Sequence, residues 1–312
     1  MRRRGEQPMV PRASFDSYYG KSIINKPTWE ARNIAGYLFL GGLAGAGSVI
    51  AAGAHATGRP ALARTLKSGA AGAVGLALVA LVHDLGRPAR FLNMMRTFKP
   101  TSPMSIGSWL LAGYAPAATV AAASDLTGIA PAVGTLATTT AAVVGPAVAT
   151  YTAALIADTA VPAWHAGYRY LPFVFAASAA SAGAGLGLAG SPLAENEPVL
   201  RLGILAGTAE LLTGKVMEQR MGLPGEAYEE GQAGRYNKVA RALTAAGVLT
   251  AATAGRRWRA AAAAAGVLLL TGSAVTRFAI FHAGVSSAED PRYTVIPQRE
   301  RLSAASGPPT AQ

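Results

Sequence analysis

Cysteine is absent from the 312-residue chain, which excludes a disulfide framework, an internal iron–sulfur cluster and a thiolate zinc site. Charge is scarce as well. Asp, Glu, Lys and Arg make up 14% of the residues, whereas a soluble domain carries about 25%. Acidic residues are the rarer sign, 16 against 28 Lys and Arg, and histidine occurs four times. The basic N-terminal stretch MRRRGEQPMVPR has no apolar core behind it, so a secretory signal peptide is not expected and insertion falls to internal segments. What is abundant is apolar: 51% of residues are hydrophobic, mean hydropathy is +0.29 and 36 residues are glycine. This bias runs along the whole chain and points to a polytopic membrane protein rather than a nucleic-acid binder, with the cations acting as topology determinants in short loops.

Eight stretches are long and apolar enough to cross a hydrocarbon core: Ile34–Ala56, Leu66–Leu85, Met104–Ser124, Ala130–Ala157, Leu171–Gly190, Pro198–Met217, Lys238–Ala254 and Arg259–Ala283. The expected fold is an all-α membrane bundle over residues 34–283, with a basic arm at 1–33 and a flexible tail at 284–312. Small residues recur within the spans, as in Gly41-Gly42-Leu43-Ala44-Gly45 and Gly183-Ala184-Gly185, and permit close helix approach. Eight crossings put both termini on one side, here termed the N-face. Seventeen loop cations fall on that face and seven on the other, which predicts a cytoplasmic N-face in a prokaryotic plasma membrane.

Ionisable groups inside spans mark function or pairing, and nearly all of them cluster toward the N-face. His83 and Asp84 end the second span, Glu210 lies deep in the sixth, and Arg277 and His282 lie in the eighth. Glu210, Arg277 and Asp84 are candidate proton-transfer groups, with structural ion pairing as the competing role for Glu210 and Arg277. The nearly apolar opposite half argues against proton pumping. The four histidines offer no convincing pair at matched depth on facing helices, so no haem and no metal site are expected. An organic redox carrier remains. A quinone head group needs partners for two carbonyls and an apolar or aromatic wall, and Tyr151, Asn33, His83 and Trp29 lie at similar depth near the N-face. Tyr151 also fits an interfacial aromatic anchor.

Particular strings narrow these options. Lys26-Pro27-Thr28-Trp29-Glu30 leads into Tyr37-Leu38-Phe39-Leu40-Gly41-Gly42-Leu43-Ala44-Gly45. The second span closes in Asp84-Leu85-Gly86-Arg87-Pro88-Ala89-Arg90-Phe91, followed by Lys99-Pro100-Thr101-Ser102-Pro103-Met104-Ser105 and Gly107-Ser108-Trp109. Tyr151-Thr152-Ala153 and Thr159-Ala160-Val161-Pro162-Ala163-Trp164 complete the set. Over roughly residues 18–283 the chain resembles the NrfD family, the membrane subunit of polysulfide reductase and related molybdopterin and iron–sulfur oxidoreductases.

The resemblance implies a haem-free, eight-helix quinone-reactive anchor using menaquinone or ubiquinone. It would dock a ferredoxin-like iron–sulfur subunit with four clusters, itself in contact with a molybdopterin catalytic subunit. The family's quinone contacts map onto Tyr151 and Asn33, whereas its usual histidine near the first helix has no counterpart at Glu30–Asn33. In several relatives the docking face is periplasmic, opposite to the cation count. The Asp84–Phe91 turn can end its helix at Gly86, with Pro88 blocking continuation, and Arg87, Arg90, Arg96 and Lys99 are then candidate docking cations. The preferred direction is quinone reduction by electrons from a formate-dehydrogenase-like partner. A secondary transporter or ion-translocating subunit is the alternative, and a pure scaffold a third.

Overall fold

A computed structural model describes residues 23–84 and 93–305. Among these residues the chain is helical, with no strand. The long helices are α1 (Ala31–Ala56), α2 (Pro60–Asp84), α3 (Pro103–Thr127), α4 (Pro131–Ala157), α6 (Leu171–Gly190), α7 (Glu197–Arg220), α8 (Gly231–Thr253) and α9 (Arg259–Glu289). A five-residue α5 (Pro162–Ala166) and a terminal α10 (Arg292–Ala305) accompany them. Proline opens α2, α3, α4 and α5 and lies in the first turn of α6 and α7. That position suits its fixed φ, because the missing N–H has no partner there anyway. Gly128, at φ 72°, closes α3 in the left-handed region that glycine tolerates best.

The long helices form two groups of four. In the N-terminal bundle α1 packs on α2 and α4, and α3 packs on α4 and α2. In the C-terminal bundle α6 packs on α7 and α9, and α8 on α9 and α7. Helix α1 joins the two by packing on α6 and α9. Within the N-terminal bundle the approach is close between α1 and α4, where a Cβ on Gly45 would land on the carbonyl oxygen of Gly145. Glycine here removes the side chain that would hold two backbones apart.

The chain is an integral membrane protein, and six of the long helices, α1–α4, α6 and α9, are long and apolar enough to cross a membrane. The expected eight are not all met. Helix α7 carries Arg201, Glu210 and Lys215, and α8 carries Lys238 and Arg241, which lowers their hydropathy although their 24 and 23 residues suffice in length. Residues 284–289, assigned to the tail on sequence, extend α9, and 292–305 form α10. Of the N-terminal arm, Trp29 is half-buried against the bundle, and Lys26 pairs with Glu289 at 2.5 Å.

Candidate functional site

A cavity of about 270 Å³ opens at the N-face end of the N-terminal bundle. Its walls follow from helical periodicity: α3 contributes Met104, Gly107, Ser108 and Leu111, α4 contributes Tyr151, Leu155 and Ile156, and α1 contributes Ile34 and Tyr37. Leu81 and Asp84, one turn apart, represent α2, and Thr28, Trp29 and Met94 close the mouth. The lining is apolar and aromatic with few polar groups, the usual make-up of a small-molecule site. The hydroxyl of Tyr151 is buried and has no hydrogen-bond partner. Among the described residues this phenol has no acceptor, and desolvating a hydroxyl without a partner costs about 1–3 kcal/mol.

Trp29 is fixed from behind. Its ring stacks on Trp164 at 5.8 Å and 19°, and the Trp164 indole N–H donates to the Ile280 carbonyl at 2.8 Å. The other side of Trp29 borders a second, open cavity of about 860 Å³, lined also by Phe281 and His282. Tyr236 stacks on the His282 ring at 5.2 Å.

Of the four residues expected to contact a quinone, Tyr151 and Trp29 line the smaller cavity together with Asp84. Asn33 and His83 do not line it; they bond to each other one residue along the chain from the lining positions Ile34 and Asp84. The Asn33 amide donates to Glu30 Oε2 at 2.7 Å and lies 3.2 Å from His83 Nδ1. An amide nitrogen can only donate, so Nδ1 accepts and the His83 ring proton sits on Nε2. Arg96 and Lys99 are exposed on the N-face, whereas Arg87 and Arg90, with the glycine cap at Gly86, lie outside the described residues.

The deep charges belong to the other bundle. Glu210 on α7 and Arg277 on α9 are both buried. Glu210 Oε1 accepts from Thr276 Oγ1 at 2.9 Å. Arg277 lies 3.7 Å from the centre of the Phe175 ring and donates from Nη2 to the Phe175 carbonyl at 3.1 Å. No direct ion pair joins them, and Glu210 Oε2, Arg277 Nε and Arg277 Nη1 are all buried without partners, as is Ser181 Oγ. A cavity of about 30 Å³ runs from Glu210 and Thr276 to Glu218, Asn237 and Arg241 near the N-face, room for about one water. Glu218 pairs with Arg241 and accepts from Asn237 at 2.8 Å. Beside them, burial and secondarily the Glu218 carboxylate raise the Tyr228 phenol above its ordinary range, so it remains a neutral donor to the Ala163 carbonyl at 3.3 Å.

Sequence reasoning overlooked Tyr37 and Ser108. Both were within reach of spacing: Tyr37 follows Asn33 by one helical turn, and Ser108 follows Met104 by one. It also left the far face nearly empty, where the structure holds a knot. Lys67, buried in α2, donates to Asp125 Oδ1 at 2.9 Å and lies 3.3 Å from His55 Nδ1. Arg64 reaches the other Asp125 oxygen at 3.1 Å.

A helical membrane protein with an aromatic, head-group-sized cavity near one surface is the class that fold and site define. The family model described as polysulphide reductase, NrfD, matches residues 24–197, more than half of the chain, and the chain belongs to that family. The match spans α1 to α6 and hence every wall of the smaller cavity, and stops before Glu210 and Arg277. NrfD family members are membrane subunits that work with iron–sulfur and molybdopterin subunits. No match is found among curated proteins.

Proposed function

We propose that the chain is the quinone-reactive anchor of such a complex, passing electrons between a docked iron–sulfur subunit and the membrane quinone pool. The buried, unpartnered Tyr151 hydroxyl in a cavity of about 270 Å³ carries this reading. That volume suits a ring head group, with the isoprenoid tail left to the lipid. A quinone supplies two-electron chemistry coupled to proton uptake at its two oxygens. Tyr151 donates a hydrogen bond to one oxygen, and Asp84, in the same cavity, is the group that relays protons to the bound ring. Trp29, Ile34, Leu111 and Met104 exclude water, which strengthens both polar contacts. His83, with its proton on Nε2, passes protons between Asp84 and the N-face, and Asn33 holds that tautomer.

In this reading all eight long helices cross the membrane. Glu210 of α7 is buried, and Glu218 and Arg241 pair between α7 and α8, as intramembrane charge requires. Glu210 and Arg277 form a second proton-holding site, joined to the N-face by the one-water cavity. Arg96 and Lys99, with Arg87 and Arg90, receive the iron–sulfur subunit, whose clusters and molybdopterin neighbour supply the redox centres that a cysteine-free chain lacks. The N-face is cytoplasmic by the cation excess.

Purification in mild detergent tests this. Broad iron–sulfur absorbance, a molybdopterin-bearing partner and extractable quinone are expected, with less quinone retained by Tyr151→Phe. A solitary, colourless protein without quinone would return the transporter alternative.

A further inference from the structure

The Cε2 side of the Tyr151 ring packs against Gly107 of α3. A Cβ placed on Gly107 would have its three nearest atoms all in that ring, Cε2, Cδ2 and Cζ, two of them at 2.9 Å and the first closer still. Such separations lie far inside van der Waals contact, so any side chain at 107 must displace the phenol. Displacing the α3 backbone instead is opposed by a dense cap. Ser102 Oγ accepts from Ser105 N–H at 3.5 Å, Ser105 Oγ accepts from Lys99 N–H at 3.0 Å and donates to the Thr97 carbonyl at 3.1 Å, and Pro103 sits in the first turn. The Lys99–Ser105 string therefore fixes the start of a helix, and Gly107 is the smooth place one turn later on which an aromatic ring can rest.

We infer that Gly107 is a positioning residue for the Tyr151 hydroxyl, and that the proline- and serine-rich cap exists to hold the α3 backbone under the ring. This rests on the quinone reading of the cavity. Glycine at 107 is then required for the direction of the donor, independently of helix packing. The ring rests its Cε2 side on Gly107 and keeps its buried hydroxyl at the cavity, and a methyl group at 107 swings that hydroxyl out of place.

The test uses the full-length chain in detergent and heptyl-hydroxyquinoline N-oxide, a fluorescent quinone-site ligand, titrated against wild type, Tyr151→Phe, Tyr151→Ala, Gly107→Ala and the Gly107→Ala/Tyr151→Ala double variant. Gly107→Ala is expected to weaken binding about three- to tenfold, the range of one lost hydrogen bond, as Tyr151→Phe does. In the Tyr151→Ala background the same glycine substitution is expected to change nothing, because the ring it strikes is gone. Multiplied effects in the double variant, or unaltered binding by Gly107→Ala where Tyr151→Phe weakens it, overturn the inference and leave the quinone reading standing. Full binding by Tyr151→Phe overturns both. Should Gly107→Ala fail to assemble, the double variant is expected to restore a folded protein that binds like Tyr151→Ala; continued failure assigns Gly107 to helix packing and overturns the inference.

Discussion

The two bundles handle buried polarity in opposite ways. The N-terminal bundle leaves space of about 270 Å³ beside the buried Tyr151 hydroxyl, which like Thr152 Oγ1 has no partner among the described residues. The C-terminal bundle leaves only about 30 Å³ beside the Glu210 carboxylate, while the unpartnered atoms of Arg277 and Ser181 line no part of that space. A donor facing a ring-sized void has room for a ligand from outside, whereas a carboxylate facing a water-sized void has room for water alone. Polarity and room together, and neither alone, separate a substrate site from an internal charge site.

The contrast is broken most severely at Arg277. Arg277→Leu removes the buried guanidinium that donates to the Phe175 carbonyl and lies over its ring, together with a positive charge in the same buried region as Glu210, and is expected to destabilise the protein by about 3 kcal/mol, seen as loss of monodisperse protein after heating in detergent. Adding Glu210→Leu is expected to recover most of that loss; if it does not, Arg277 acts through Phe175 and not through the carboxylate. At the far face, Lys67→Met is expected to remove about 1.5–3 kcal/mol, the worth of hydrogen bonds to a charged group, while ligand affinity at the N-face stays unchanged. Tyr151→Phe sharpens the contrast in the other direction. It is expected to raise the thermal stability of the ligand-free protein by about 1 kcal/mol, since an unpaired buried hydroxyl is removed, even as quinone retention falls. A stability loss on that substitution would mean that the hydroxyl has a partner inside the protein. The smallest effect belongs to the surface: Arg96→Ala and Lys99→Ala are expected to weaken partner binding by about 1 kcal/mol or less each, and less at higher salt.

Depth along the membrane normal was legible in the sequence, because helix ends are marked by proline, glycine and charge, and counting residues gives height at about 1.5 Å each. Tyr151 and Trp29, put at similar depth by that count, line one cavity, and Asp84 at the end of α2 lines it too. Azimuth was not legible. Asn33 and His83 share that level yet turn toward each other, and only helix packing reveals it. Lys67 reads as a loop cation because its partner Asp125 lies 58 residues away. Glu210 and Arg277 read as a candidate ion pair from sign and depth, whereas their side chains take Thr276 and Phe175 instead. Spans are expected from the sequence at Pro198–Met217 and Lys238–Ala254; both are helical, but α7 and α8 are too polar to rank among the six helices apolar enough to cross a membrane.

Trp29 gives the cavity an order of construction. It is held by Trp164, which hangs on the carbonyl of Ile280, while Lys26 is tied to Glu289. Synthesis proceeds from the N-terminus, so the four helices that wall the cavity emerge long before its back wall has anything to lean on. Only when the last long helix is seated does the mouth close. A chain cut before α9 therefore has the four helices that wall the cavity but lacks Ile280 and Glu289, on which Trp164 and Lys26 lean.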